Sequence, residues 1–256
     1  MRLLMLNPNT SQGVTELIAK AGRSAAAPGT EITTMTAKRG VPYIATRAEA
    51  VIGGAVALEM LAEVHQDYDA VVIAAFGDPG LGGARELFPI PVIGLAEAGM
   101  LTACMLGRRF SIVTFAQALT PWYAECVEWH GLRDRCGGIN SLDGPFESIN
   151  DVQNEKEALL VDLALKSIAR DESDVIVLAG APLAGLAHQI ADRVPVPVVD
   201  CVAASVKQAE TLAALRARKA TVGTFRRPSA KPSTGLAPAL AGWIAHNENT
   251  AGSVQG

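Results

Sequence analysis

Two residues of this chain carry a reactive side chain where an apolar run gives way to a turn or a helix. Asp78 lies in Phe76-Gly-Asp-Pro-Gly80, directly after the run Val71–Ala75. A carboxylate there can take a proton from a substrate or hold a water for attack, although Asp-Pro is also an ordinary turn dipeptide. Cys201 follows the run Val196–Val199 and opens a helical stretch. A helix N-terminus favours a thiolate, while a buried structural thiol is the other reading. Asp78 and Cys201 are therefore the candidate catalytic groups.

Backbone chemistry is suggested at three turns. Asn7-Pro-Asn-Thr-Ser11 follows the run Leu3–Leu6 and opens a long helix, with Thr10 or Ser11 as its N-cap. Such an end attracts an anion, and simple capping accounts for the motif equally well. The glycine-rich Phe76–Gly80 turn has a counterpart in Gly180-Ala-Pro182. Two facing sets of main-chain N–H donors would make a double oxyanion site. Asn9, Thr10, Phe76, Gly77, Gly180, Ala181 and Pro182 are thus substrate-binding candidates, with Tyr43 on a loop able to close over them.

Other polar residues read as structural. His188 falls on the solvent side of its helix. His130 shares an apolar face with Trp122, Tyr123 and Cys126 beside a terminus closed by Gly131, as a capping or packing residue. His65 and His246 are no candidates, Glu97 caps or pairs at a helix start, and Cys104 and Cys126 belong to helix interiors. The four cysteines show no metal-ligand spacing and read as free thiols. No dinucleotide fingerprint or phosphate-binding loop follows the first strand.

What must position these residues is a repeat. Asp69–Gly80 resembles Asp174–Gly185, and Ile90-Pro-Val-Ile-Gly94 resembles Val196-Pro-Val-Val-Asp200. Each copy reads as strand, Gly/Pro turn, short helix and strand. Six apolar runs fit strands buried on both faces: Leu3–Leu6, Val71–Ala75, Val92–Leu95, Phe110–Phe115, Val175–Ala179 and Val196–Val199. Helical stretches between them (10–27, 47–64, 96–106, 121–130, 151–169 and 201–214) make the class α/β. Ligands of such sheets bind off the carboxyl ends of the strands, where every candidate turn falls. The expected units are an N-terminal half over 1–100, completed by part of 207–240, a C-terminal half over 101–206, and a disordered tail at 247–256.

With 256 residues, 49% of them hydrophobic, the chain can bury a large core. A net charge of −4 with scattered basic residues argues against nucleic acid and for a small-molecule partner. The N-terminus lacks signal-peptide features and no apolar run reaches membrane-spanning length. A cytoplasmic homo-oligomer without membrane attachment is expected.

Asn7–Ser11, Phe76–Leu81, Ile112-Val-Thr114 and Ala181–Ala187 together resemble the aspartate/glutamate/hydantoin racemase family, in its hydantoin and allantoin racemase branch. The resemblance covers roughly residues 1–215. It implies two pseudo-symmetric Rossmann-like subdomains, each a parallel sheet flanked by helices, with a small carbonyl or carboxylate substrate in the cleft between them. It implies no metal or organic cofactor, and it places Thr114 among the groups that hydrogen-bond the substrate. In the family, paired cysteines move the α-proton on opposite faces. At those positions this chain has Ala75 and Gly180. The expectation is isomerase-type α-proton chemistry without the two thiols. Hydrolysis or decarboxylation on the same scaffold, or metabolite binding without catalysis, stays open.

Overall fold

The computed structural model describes residues 1–144 and 147–247. Strands β1 (Arg2–Asn7), β2 (Glu31–Thr36), β3 (Ala70–Ile73) and β4 (Val92–Gly94) form one sheet. Strands β5 (Phe110–Thr114), β6 (Cys136–Ser141), β7 (Val175–Leu178) and β8 (Val198–Asp200) form a second. The orders β2-β1-β3-β4 and β6-β5-β7-β8 are the same, and every pairing is parallel. Ile73 pairs with Gly94 in one sheet, and Leu178 with Asp200 in the other. The sequence repeat is thus a structural repeat.

Parallel strands need crossovers, and helices supply them: α1 (Gln12–Ala25), α2 (Arg47–Val64), α3 (Leu81–Leu87), α4 (Leu95–Leu106), α5 (Thr120–Trp129), α6 (Val152–Asp171), α7 (Leu186–Ile190) and α8 (Cys201–Leu215). Covering both faces explains why β1, β3, β5 and β7 are mostly apolar and almost wholly buried. Helix starts follow local sequence. Ser11 caps α1 through Val14 N–H, and Thr46 with Glu49 forms a capping box at α2. Gly80 (φ 81°) and Gly185 (φ 88°) hold the left-handed turns that launch α3 and α7.

Helices α4 and α8 cross between the halves. α4 leaves β4 and packs on β5, β7 and β8, whereas α8 leaves β8 and packs on β1, β3 and β4. The two also pack on each other. A boundary at residue 100 would cut through α4, so the expected division is corrected. The second half gains its helix from residue 95 onward, and the first half is completed by α8 from residue 201. One large core cluster accordingly draws residues from both sheets.

The first half receives a further cover from the C-terminal segment. Helix α9 (Pro238–Ile244) lies against α2. Trp243 donates Nε1–H to Leu87 O at 2.8 Å and stacks with Phe88, while Arg227 sits over its ring. Of the expected disordered tail, only Asn247 falls within the described residues. No helix among the described residues is long and apolar enough to cross a membrane.

Candidate active site

The turns after β1, β3 and β7 converge on a small cavity between the halves. Asn9, Tyr43, Ile44, Ala75, Phe76, Phe115, Trp122, Tyr123, Gly180, Ala181 and Pro182 line it, and its volume is about 20 Å³. Of the expected site residues, the fold brings together Asn9, Tyr43, Phe76, Gly180, Ala181 and Pro182. Thr10 positions this group indirectly, donating its N–H to Val41 O at 3.0 Å and so tying down the Tyr43 loop.

Donors are what the cavity offers. Asn9 Oδ1 accepts from Asn7 Nδ2 at 3.0 Å and from Ser11 N–H at 2.9 Å. These bonds fix the amide orientation and leave the NH2 group for a ligand. Among the described residues, the main-chain N–H groups of Phe76, Gly180 and Ala181 have no protein acceptor. A buried N–H without a partner is costly. Three at one cavity, from both halves, suit an anionic oxygen.

Aromatic rings fill the rest. Phe76 and Tyr123 lie with ring centroids 4.5 Å apart, and Tyr43 and Phe115 6.0 Å apart. Burial raises the Tyr43 phenol above its ordinary value, with the Glu49 charge adding to the effect. Burial likewise raises that of Tyr123, which shares a hydrogen bond with Thr114. Both phenols stay protonated at neutral pH. Phe115, Trp122 and Ile44 had not been anticipated from sequence. Pro121-Trp-Tyr123 just after the carboxyl end of β5 is the signal that places two of these rings at the site.

Ala75 and Gly180, the positions at which the resemblance implies cysteine, both line the cavity. Ala75 is an unremarkable buried residue. Gly180 has φ 115° and ψ 129°, a conformation open to glycine. A Cβ built there would lie 2.8 Å from Phe115 Cε1. Phe115 occupies the room a side chain would need.

The two candidate catalytic side chains lie elsewhere, which corrects the expectation for them. Asp78, at φ 51°, turns its carboxylate toward the start of α4. There it accepts from Ala96 N–H at 2.8 Å and Glu97 N–H at 2.9 Å, and pairs with His130 Nε2 at 2.9 Å. These bonds hold it as a helix cap. It fills the space beside Gly94, where a Cβ would lie 2.3 Å from Asp78 Oδ2. In the other half Asp200, at the Gly94 position, points its own carboxylate to Ala203 N–H and the Gly185 turn. The same anchor is supplied from opposite partners of the repeat.

Cys201 donates its thiol to Leu178 O at 3.2 Å and packs against Gly99 of α4. Burial pushes its pKa well up, the reverse of an activated thiolate, and the Asp200 and Asp78 charges add to this. Thr114 Oγ1 donates to Ala179 O at 2.9 Å, bracing β5 against the turn after β7. Gly77 faces Trp122, whose ring atoms would lie 2.3–2.7 Å from a Cβ there.

His130, which caps α5, bridges two acids. Its Nδ1 lies 3.6 Å from Glu97 Oε1, and Glu97 pairs with Arg85. Burial works against its charge, but the Asp78 and Glu97 carboxylates outweigh this and raise its pKa to about 9. Glu97 is itself desolvated, yet bonds from His130 and Arg85 lower its pKa to about 2.

The model of the Asp/Glu/hydantoin racemase family matches residues 3–209. The chain belongs to that family. It is therefore a racemase-family enzyme, and its two four-stranded parallel sheets are the family's two α/β domains. The hydantoin racemase of Paenarthrobacter aurescens is 31% identical over 233 residues, 90% of this chain and 99% of that one. The solved allantoin racemase from Klebsiella pneumoniae superposes with a TM-score of 0.87 at 36% identity, covering 92% of this chain and 96% of that one. The allantoin racemase from Pseudomonas fluorescens gives 0.84 at 31% identity, covering 92% and 100%.

Proposed function

We propose that this racemase-family enzyme takes a small cyclic ureide or α-substituted carboxylate into the interdomain cavity and catalyses isomerase-type α-proton exchange without a thiol. The observation that carries the reading is the convergence of unclaimed donors. Phe76 N–H comes from one half, Gly180 and Ala181 N–H from the other, and the Asn9 amide from a third turn. As the α-proton leaves, negative charge gathers on the substrate carbonyl oxygen. Donors already fixed in place stabilise that charge without reorganising. The relatives named as hydantoin and allantoin racemases support the cyclic ureide as substrate class.

Neither family thiol position carries an acid or base, and both phenols at the cavity are held in their protonated form. Tyr43 therefore serves as a donor, and the α-proton passes to solvent water or hydroxide. A volume of about 20 Å³ is water-sized and far below that of an ordinary ligand pocket. Substrate entry requires the Tyr43 loop or the Trp122–Tyr123 end of α5 to swing outward.

Purified protein is incubated in deuterated water with allantoin, 5-substituted hydantoins and α-substituted dicarboxylates, and followed by proton NMR and chiral chromatography. Loss of the α-proton signal, with a rate rising about tenfold per pH unit as hydroxide takes over as base, is the expected result. Ring opening would establish a hydrolase, and loss of carbon dioxide a decarboxylase. Binding with no turnover would overturn the proton-exchange reading.

A further inference from the structure

Behind the Phe76–Gly80 turn, Cys126, His130 and Asp78 place a thiol, an imidazole and a carboxylate within 4.8 Å of one another, each residue contributing one ligand atom. We propose that this cluster is a binding site for a borderline-soft divalent cation, Zn²⁺ foremost. It is separate from the interdomain cavity and independent of the reading given to it.

Geometry carries the inference. Cys126 and His130 are four residues apart on α5 and therefore share a face, the spacing by which one helix presents two ligands to one ion. Asp78 approaches from the turn after β3, held by the α4 amides. A sulfur, nitrogen and oxygen set suits Zn²⁺. At ordinary Zn–S, Zn–N and Zn–O lengths, tetrahedral ligand atoms stand roughly 3.3–3.8 Å apart, so His130 Nε2 and Asp78, now 2.9 Å apart, must part slightly while the Cys126 sulfur draws in by up to about 1 Å.

The surroundings are those of a metal site. His130 presents Nε2 to the cluster while Nδ1 faces Glu97, and Arg85 holds Glu97 in turn. A carboxylate on the far nitrogen orients a ligating imidazole. Cys126 differs from the other buried thiol, Cys201, which donates to a carbonyl. The Cys126 sulfur instead receives the Gly77 N–H, while burial and the Asp78 and Glu97 charges push its thiol up, so an incoming cation has to displace that proton. Asp78 and Cys126 also line a groove of about 690 Å³ between α2, α3 and α5, giving the ion an entry path and room for a water as fourth ligand.

Chelator-treated full-length protein is titrated with Co²⁺ and read by absorption, then with Zn²⁺ in competition. The expected result is one equivalent of Co²⁺ with thiolate-to-metal charge transfer and tetrahedral visible bands, displaced by Zn²⁺. Cys126→Ser and His130→Gln should each weaken binding at least 100-fold, and Glu97→Gln by roughly 10–100-fold. Cys104→Ser leaves it intact, and circular dichroism shows which variants are folded. Absence of binding below about 10 µM to folded protein, spectra without charge transfer, or full binding by folded Cys126→Ser would each overturn the proposal.

Discussion

Gly180→Ala isolates the structural consequence of losing the second thiol position. At φ 115° and ψ 129° an L side chain is held in a sparsely populated region, costing about 1–3 kcal/mol. The new methyl also meets Phe115 Cε1 at 2.8 Å, and overpacking of this kind costs about 1–3 kcal/mol. A combined loss of about 3–4 kcal/mol lowers the Tm of a chain this size by roughly 10 °C. Thermal and denaturant unfolding followed by circular dichroism measure it. Phe115→Leu separates the two causes. In the double variant the steric share is relieved and the backbone share stays, so a cycle should show at least ~1 kcal/mol of favourable coupling. A Tm within about 2 °C of the parent protein, or strictly additive single changes, would refute the argument that this backbone and Phe115 have adapted to glycine.

Four further outcomes follow from the same geometry. Ala75→Cys, where φ is ordinary, should lose no more than about 1 kcal/mol. It should add α-proton exchange that alkylation abolishes, with configuration retained for want of a second thiol, and chiral chromatography would expose any inversion. Asp78→Asn should cost about 3 kcal/mol in denaturant unfolding, since His130 and the α4 amides lose a buried charge; unchanged stability would remove its anchoring role. Trp243→Ala should cost about 2–3 kcal/mol by releasing Leu87 O, the Phe88 stack and Arg227, and limited proteolysis should then cut between residues 216 and 237 first. In chelator-treated protein, the His130 pKa of about 9 exceeds its unfolded value of about 6.5. The ion pair's contribution is thus fully present below pH ~6.5 and lost as pH rises through ~9, and urea midpoints across that window measure it.

The central strands and the turns after them were legible because burial on both faces leaves continuous apolar runs punctuated by glycine and proline. β2 and β6 were not legible. Glu31-Ile-Thr-Thr-Met-Thr36 and Cys136-Gly-Gly-Ile-Asn-Ser141 are edge strands, half exposed, and need no apolar run. The cavity residues on turns were found from position alone. The direction of Asp78 was not, because it depends on a left-handed turn and on a small Gly94 leaving space. Cys201 misled for a related reason. Its place at a helix start was correct, but which way the thiol faces is set by α4 arriving from the other half. The Cys126–His130 pair was visible on one apolar face and reads as packing until Asp78 is brought beside it in three dimensions.

The reciprocal placement of α4 and α8 bears on what half of this gene could encode. A fragment ending after α4 carries a helix whose complementary surface lies on β5, β7 and β8, and leaves bare the surface of β1, β3 and β4 that α8 covers. Because the repeat makes those two surfaces alike, a second copy of the fragment offers a home for the stray helix and brings one of its own. Mutual helix donation between two identical fragments would restore both cores with a single repeat. The pairing now locked inside one polypeptide is thus the architecture of a swapped dimer, and fusion of two such chains end to end would have made the exchange permanent while freeing each turn to change independently.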